Sequence, residues 1–178
     1  MTAPTVSVVM GVYNDAERVG ASVRGILAQT FRDFELVVVD DGSTDGTREV
    51  LDRLAITDPR VVLLSKPNGG LTKALIAGCT MARGEFIARQ DSDDYSLPTR
   101  LEKLVALLST NASLGFVSSG TEYVGPADEY LFSITRTTDP QIATQRLLFD
   151  REGPPAHGSV MFRRTLYEQV GGYRPQFY

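Results

Sequence analysis

Short apolar runs that break off into polar, mostly acidic turns constrain this chain most, because a segment of helical period separates each run from the next. Residues 6–12 are apolar and β-branched, bounded by Pro4 and by Asn14-Asp15. Residues 34–39 form a second run, which ends in Asp40-Asp41-Gly42-Ser43, and residues 61–64 a third. Residues 85–88 form a fourth, followed by Asp91-Ser92-Asp93-Asp94. Between the runs, Val19, Val23, Ile26 and Leu27 stand at helical spacing, as do Val50, Leu51 and Leu54. Residues 71–82 predict a third helix, entered through Asn68-Gly69-Gly70, and Leu101, Leu104, Val105 and Leu108 a fourth, with Pro98 near its first position. Asn14 and Glu17, three apart, predict a capping box for the first helix. Residues 115–119 predict a fifth strand, after which the period is lost until 159–162.

Strands alternating with helices imply an α/β fold with a mainly parallel sheet and right-handed crossovers. Strands that are apolar without alternation imply helices on both faces. Such sheets bind ligands at the carboxyl ends of their strands, near a switch in strand order. Here those ends carry Asn14-Asp15, Asp40-Asp41 and the run 91–94. Carboxylates two apart at a strand end point to one side. They suit a hard cation that completes its shell with water and substrate phosphate. Taken alone, the same run also reads as a solvated acidic turn before a helix.

Composition narrows the chemistry. With 178 residues the chain is long enough for one domain with a sizeable core. A net charge of -4 argues against bulk nucleic-acid binding. One cysteine forms no internal disulfide, and one histidine makes a zinc cluster unexpected. The longest apolar runs are too short to span a bilayer, and the N-terminus does not read as a signal peptide. The expected compartment is the cytoplasm, with peripheral attachment at the inner face of the membrane left open. There is no G-x-x-x-x-G-K-[ST], which excludes a P-loop NTPase, and no G-x-G-x-x-G after the first strand. A nucleoside diphosphate held by a metal at 91–94 fits best. Asp41 is placed to accept the imide N–H of a uracil-type base.

Several blocks together resemble glycosyltransferase family 2. They are Val-Ser-Val-Val-Met-Gly-Val-Tyr-Asn at 6–14, Gln29-Thr30 before Phe-Glu-Leu-Val-Val-Val-Asp-Asp-Gly-Ser at 34–43, and Asn-Gly-Gly-Leu-Thr-Lys-Ala at 68–74. Asp91-Ser-Asp-Asp94 with Pro98, His-Gly-Ser-Val-Met-Phe-Arg at 157–163 and Gly171-Gly-Tyr173 complete the set. The resemblance runs from about Val6 to Tyr173 and keeps the family's order and spacing. It implies a GT-A fold, a Rossmann-like mainly parallel sheet with helices on both faces. It also implies a metal-dependent, inverting transfer of sugar from a nucleotide-diphosphate donor, a UDP-sugar, to the hydroxyl of a saccharide or lipid-linked acceptor, in polysaccharide or glycoconjugate synthesis.

By the same resemblance, Val12, Tyr13 and Asn14 would flank the nucleotide, Asp41 would contact the base, and Asp40 would contact the donor or order its loop. Asp91 and Ser92 would approach the ribose or sugar, and Asp93 would be the ligand of Mg²⁺ or Mn²⁺. Asp94 would sit at the helix entry behind the ligand, and Lys73 would help hold the donor. His157 would serve the acceptor or phosphate side, and Arg163 with Arg164 reads as a solvated pair. The family's catalytic base, an acidic pair past the segment matching Gly171-Gly-Tyr-Arg174, is expected beyond Tyr178, so the base is unassigned. Residues 1–120 then form the nucleotide-sugar-binding portion, and 121–178 begin an incomplete acceptor-side portion of one domain. Apolar surface around Val160, Phe162 and Tyr173 is expected to favour homo-oligomers. The competing readings are a donor-binding fragment without turnover and a metal-dependent nucleotidyltransferase. The latter would want a Gly-rich basic loop after the first strand, where Gly11-Val-Tyr-Asn14 stands.

Overall fold

A computed structural model describes residues 2–175. Strand β1 (Val6–Val12) is followed by α1 (Val19–Leu27), β2 (Phe34–Asp40), α2 (Thr47–Thr57), β3 (Val61–Ser65), α3 (Leu71–Met81), β4 (Phe86–Asp91) and α4 (Arg100–Thr110). The chain continues through β5 (Phe116–Ser118), β6 (Thr121–Val124), β7 (Tyr130–Ile134), α5 (Pro140–Gln145), β8 (Val160–Arg163) and α6 (Arg164–Gln169). A π-helical turn spans Arg146–Asp150 and a 3₁₀ turn His157–Ser159.

The main sheet has six strands in the order β3-β2-β1-β4-β8-β5. The first three pairings are parallel, and β8 pairs antiparallel with both β4 and β5. This is the mainly parallel, Rossmann-like α/β sheet expected. From β1 the chain builds outward to β2 and β3, then crosses back to β4 on the other side of β1. That reversal of strand order opens the crevice where open α/β sheets take their ligands. Register then decides which residues reach it. Val12 lies opposite Asp40, Asp40 opposite Ser65, and Gly11 opposite Asp91.

Strands β1 and β2 are buried along their whole length because both sheet faces are covered. On one face Val8, Met10 and Leu36 pack with Val23 and Ile26 of α1, Leu51 of α2 and Leu104 of α4. On the other face Val9, Val37 and Ile87 pack with Ala74, Leu75 and Cys79 of α3. Each such aliphatic side chain contributes about 1.5–3 kcal/mol by leaving water, so the two layers hold the strand ends rigidly in register.

Several expectations need correction. Helix α1 begins at Val19 with Arg18 at its N-cap and no side-chain cap bond, so Asn14 and Glu17 form no capping box. Asn14 is instead in the left-handed region (φ 50°) and bonds the second loop. Helix α4 opens at Arg100, so Pro98 precedes it, and its carbonyl accepts from Thr30 N–H (2.8 Å). Arg163 and Arg164 are not a solvated pair. Arg163 donates to the carbonyls of Leu108 (2.6 Å), Leu114 (2.9 Å) and Asn111 (3.1 Å), satisfying groups at the end of α4, while Arg164 donates to Gly84 O (2.7 Å). Val160 is buried, and Phe162 and Tyr173 pack on the second core layer, so these three do not form an open apolar patch.

The β6–β7 hairpin and α5 have no counterpart in the sequence reading. The hairpin is joined by a stacked Tyr123–Phe132 pair (ring centroids 4.6 Å apart), yet most of β7 is exposed, so no inward-facing period marks it. Helix α5 did carry a signal, Asp139 at the N-cap followed by Pro140.

Candidate functional site

The three polar loops at the carboxyl edge are knitted together by their own side chains. Asn14 N–H donates to Ser43 Oγ (3.0 Å), and Asn14 Oδ1 accepts from Thr44 N–H (2.8 Å). Asp15 N–H donates to Thr47 Oγ1 (2.8 Å). The loop after β1 is thereby fixed against the loop after β2. Val12 is buried beneath it, and Tyr13 stands half-exposed at the rim.

Asp40 and Asp41 are both buried. Asp40 accepts from Ser43 N–H (3.0 Å) and from the Ser65 hydroxyl (3.4 Å), which orders the turn. Asp41 accepts from the Lys66 ammonium, from Gly69 N–H (3.1 Å to each oxygen) and from Gly70 N–H (2.7 Å). Gly42 makes this closure possible. Its φ is +79°, and a Cβ there would lie 2.6 Å from Asn68 N, so only glycine admits the 66–70 loop. Lys73 is exposed on α3, its stem beside Gly69.

The acidic run at the end of β4 is held differently. Asp91 pairs with Arg89, a fully buried arginine that also donates to the carbonyls of Gln90 (2.7 Å) and Val9 (3.3 Å). Asp93 is exposed and meets the Arg18 guanidinium at 3.2 Å. The Nε of Arg18 is anchored on buried Asp15 (2.7 Å), which also accepts from the Ser92 hydroxyl (2.6 Å). Asp94 is exposed at its surface, yet partial desolvation raises its carboxyl above the usual carboxylate range, and the charges of Asp91 and Asp93 add to that shift.

The His157–Ser159 turn closes the site from the β8 side. A Cβ at Gly158 would lie 2.7 Å from Asp91 Oδ2 and 2.8 Å from Asp94 Oδ2, so the turn's backbone runs directly against both carboxylates. Arg100 clamps it there, donating to Gly158 O (2.7 Å), Arg89 O (2.7 Å) and Gln90 Oε1 (2.9 Å). His157 Nε2 and Tyr173 Oη are 2.8 Å apart. Desolvation lowers the His157 pKa, with the Arg89 charge adding, and desolvation raises that of Tyr173. Beside this turn, where Ser119 N–H donates to Ser159 O (3.2 Å), a cleft of about 910 Å³ runs between the end of β5 and α5.

The structure therefore brings Val12, Tyr13, Asn14, Asp40, Asp41, Asp91, Ser92 and Asp93 to one edge, with His157 adjoining across Gly158 and Lys73 over the 66–70 loop. The expected base past Tyr178 lies outside the described residues. Among the described residues no three His, Cys, Asp or Glu side chains form a cluster able to hold a cation. Crowding of Asp91, Asp93 and Asp94 leaves negative charge that a cation would relieve, so these residues fit Mg²⁺ or Mn²⁺.

Four contributors went unassigned in the sequence: Asp15, Arg18, Arg89 and Arg100. Arg89 had a local signal, since it stands two residues before Asp91 on the same side of a strand. Asp15 stood in the sequence as one of the strand-end acids without a role, whereas Arg18 and Arg100 act across the fold and nothing in the one-dimensional pattern marks them.

Residues 7–171 match the family model described as glycosyl transferase family 2. The putative glycosyltransferase EpsE of Bacillus subtilis is 35% identical over 176 residues, covering 97% of this chain and 61% of its own length. The chondroitin synthase of Pasteurella multocida is 37% identical over 123 residues, covering 69% of this chain and 13% of its own. Among solved structures, the mannosyltransferase PcManGT of Pyrobaculum calidifontis, in complex with GDP-Man and Mn²⁺, superposes with a TM-score of 0.75 at 25% identity, over 98% of this chain and 49% of that one. TarS 1-349 of S. aureus shares the fold at a TM-score of 0.70 and 20% identity, over 97% of this chain and 51% of that one. The chain thus spans 61% or less of the length of these relatives.

Proposed function

This chain belongs to glycosyltransferase family 2, and on that footing we propose that it binds a nucleoside-diphosphate sugar with Mg²⁺ or Mn²⁺ and directs the sugar to an acceptor hydroxyl with inversion. One observation carries the reading. The β1/β4 switch gathers Asp40, Asp41, Asp91 and Asp93 at one edge, beside a turn with no side chain at Gly158.

The residues divide the work as follows. Tyr13 and the backbone of 12–14 flank the base, and Asp41 with the 66–70 loop forms its far wall. Asp91 and Ser92 face the ribose and sugar. Asp93 holds the cation, which when bound neutralises charge on the leaving diphosphate. Lys73 and His157 adjoin the phosphates or the acceptor. Residues 1–120 make up the donor-binding portion. The acceptor-side portion starts at 121 and lends β8 back to the sheet, and the 910 Å³ cleft next to Ser119 is where we place the acceptor. The acceptor hydroxyl must lose its proton to a positioned base as it attacks.

The donor we propose is a UDP-sugar. A GDP-sugar is the second reading, favoured by the donor named for the Pyrobaculum mannosyltransferase. Melting curves test the site. Ligand at about 100 times its Kd adds about 2.7 kcal/mol, or roughly 5–11 °C for a chain of this size. UDP should raise the Tm more with Mn²⁺ than with EDTA, and Asp93→Asn should remove that difference. A full metal-dependent shift in the variant refutes the assignment of Asp93. Tighter binding of GDP than UDP by calorimetry selects the second donor.

A further inference from the structure

Three acids of this site, Asp41, Asp91 and Asp93, are each paired with a cation of the chain itself, and one of those cations is unlike the others. Asp41 is held by Lys66 and Asp91 by Arg89, and in each pair the cation is largely or fully buried, at 22% and 0% side-chain exposure. The guanidinium on Asp93 belongs to Arg18, which is 61% exposed, and Asp93 itself is 46% exposed. The two ends of Arg18 also differ. Its Nε is fixed at 2.7 Å to Asp15, a carboxylate only 5% exposed and locked by Ser92. Its outer nitrogen reaches Asp93 at 3.2 Å, in solvent.

We propose that Arg18 is a resident counter-ion of the metal site, holding Asp93 in the metal-free chain and giving way when a divalent cation binds. The inference rests on reading Asp93 as the metal ligand. An exposed arginine–carboxylate pair contributes little to stability, weak enough for a divalent ion to replace. The anchor on Asp15 survives the exchange, so the guanidinium stays beside the site. Arginine remains charged at every working pH, so the competition does not titrate away. Arg18 thereby sets how much free metal the site needs. It also spares the chain an uncompensated cluster of carboxylates when no metal is bound.

The test is a titration with Mn²⁺ alone, following the free-ion signal by electron paramagnetic resonance, on the full chain and its Arg18→Gln, Arg18→Lys and Asp93→Asn variants. Gln at 18 removes the charge and keeps an N–H for Asp15. Arg18→Gln should bind Mn²⁺ about two- to fivefold tighter than the parent, which is what releasing an exposed pair yields. Arg18→Lys keeps the charge and should stay near the parent. The advantage of Arg18→Gln should shrink at high salt, where exposed pairs are screened. Damage to the fold would weaken binding, so a gain is a readout that a merely structural role cannot produce. Metal-free melting curves identify a variant that has lost its fold, and Arg18→Lys then carries the comparison with Asp93→Asn. Equal or weaker Mn²⁺ binding by a folded Arg18→Gln, with binding lost in Asp93→Asn, overturns the counter-ion role and leaves the metal assignment standing. Parent-like binding by Asp93→Asn removes the metal assignment, and the counter-ion role falls with it.

Discussion

Asp41→Ala is the substitution whose cost the structure defines best. The Asp41 side chain is 3% exposed and pairs with Lys66, whose side chain is 22% exposed. It also accepts the N–H groups of Gly69 and Gly70 at the entry to α3. Removing the carboxylate leaves a largely buried ammonium without its counter-charge and two backbone donors without acceptors. Breaking a buried pair from one side costs about 3–5 kcal/mol. For a chain of this length that is a Tm loss of about 6–20 °C. Asp41→Asn keeps one oxygen for the Gly69 and Gly70 N–H groups but gives up the charge and turns an amide NH2 toward the Lys66 ammonium, so it should lose less than Asp41→Ala but still measurably. Urea denaturation followed by circular dichroism measures both, with an unchanged m-value marking a stability effect. Amide exchange at Gly69 and Gly70 should accelerate in Asp41→Ala ahead of the sheet amides, because the loop is released before the core opens. An Asp41→Ala stability within about 0.5 kcal/mol of the parent, the range of ordinary surface changes, would refute the argument. The asymmetry also decides how base selectivity is tested. Asp41→Asn is the usable variant for testing the proposed base contact, since Asp41→Ala also releases the 66–70 loop.

Two further outcomes follow from the same geometry. Gly158→Ala should cost about 1–3 kcal/mol by overpacking and weaken Mn²⁺ binding, because the new methyl meets the Asp91 and Asp94 oxygens; parent-like denaturation and Mn²⁺ titration together would contradict the close approach. Burial pushes the Glu35 carboxyl up, but hydrogen bonds from Ser7, from Arg83 N–H and from the Arg83 guanidinium outweigh it and hold the pKa below the usual range. Its stabilisation is therefore present above the ordinary glutamate pKa and lost as the pH falls through the lowered value. Glu35→Gln should flatten the stability–pH curve in that acid window, and an unaltered slope there would count against the pairing.

Much of the fold was legible in the residues, for a physical reason. Burial on both faces of a parallel sheet demands uninterrupted apolar strands, and those strands announce themselves in any window of six or seven residues, as 34–39 does. The acid turns were legible because strand ends at one sheet edge are where such folds place ligands. The hairpin at Thr121–Val124 and Tyr130–Ile134 was not, since exposed strands carry no inward period. Asn14 and Glu17 spelled a local cap, yet the tertiary bonds of Asn14 to Ser43 and Thr44 took precedence.

The sequence alone therefore determined the element order, the α/β class and the acids Asp40, Asp41, Asp91 and Asp93 as a group, because each depends on residues close along the chain. Apart from Arg89, whose place two residues before Asp91 was legible, the tertiary structure decided what faces those acids. It set Lys66 and two glycine amides on Asp41, buried Arg89 beneath Asp91, and brought Arg18 to Asp93 across 75 residues. It also ran the Gly158 backbone against Asp91 and Asp94. Charge pairing is decided by distance and burial in space. Here the β1–β4 pairing brings Arg18 to Asp93 and the β2–β3 pairing brings Lys66 to Asp41, and a one-dimensional pattern contains neither.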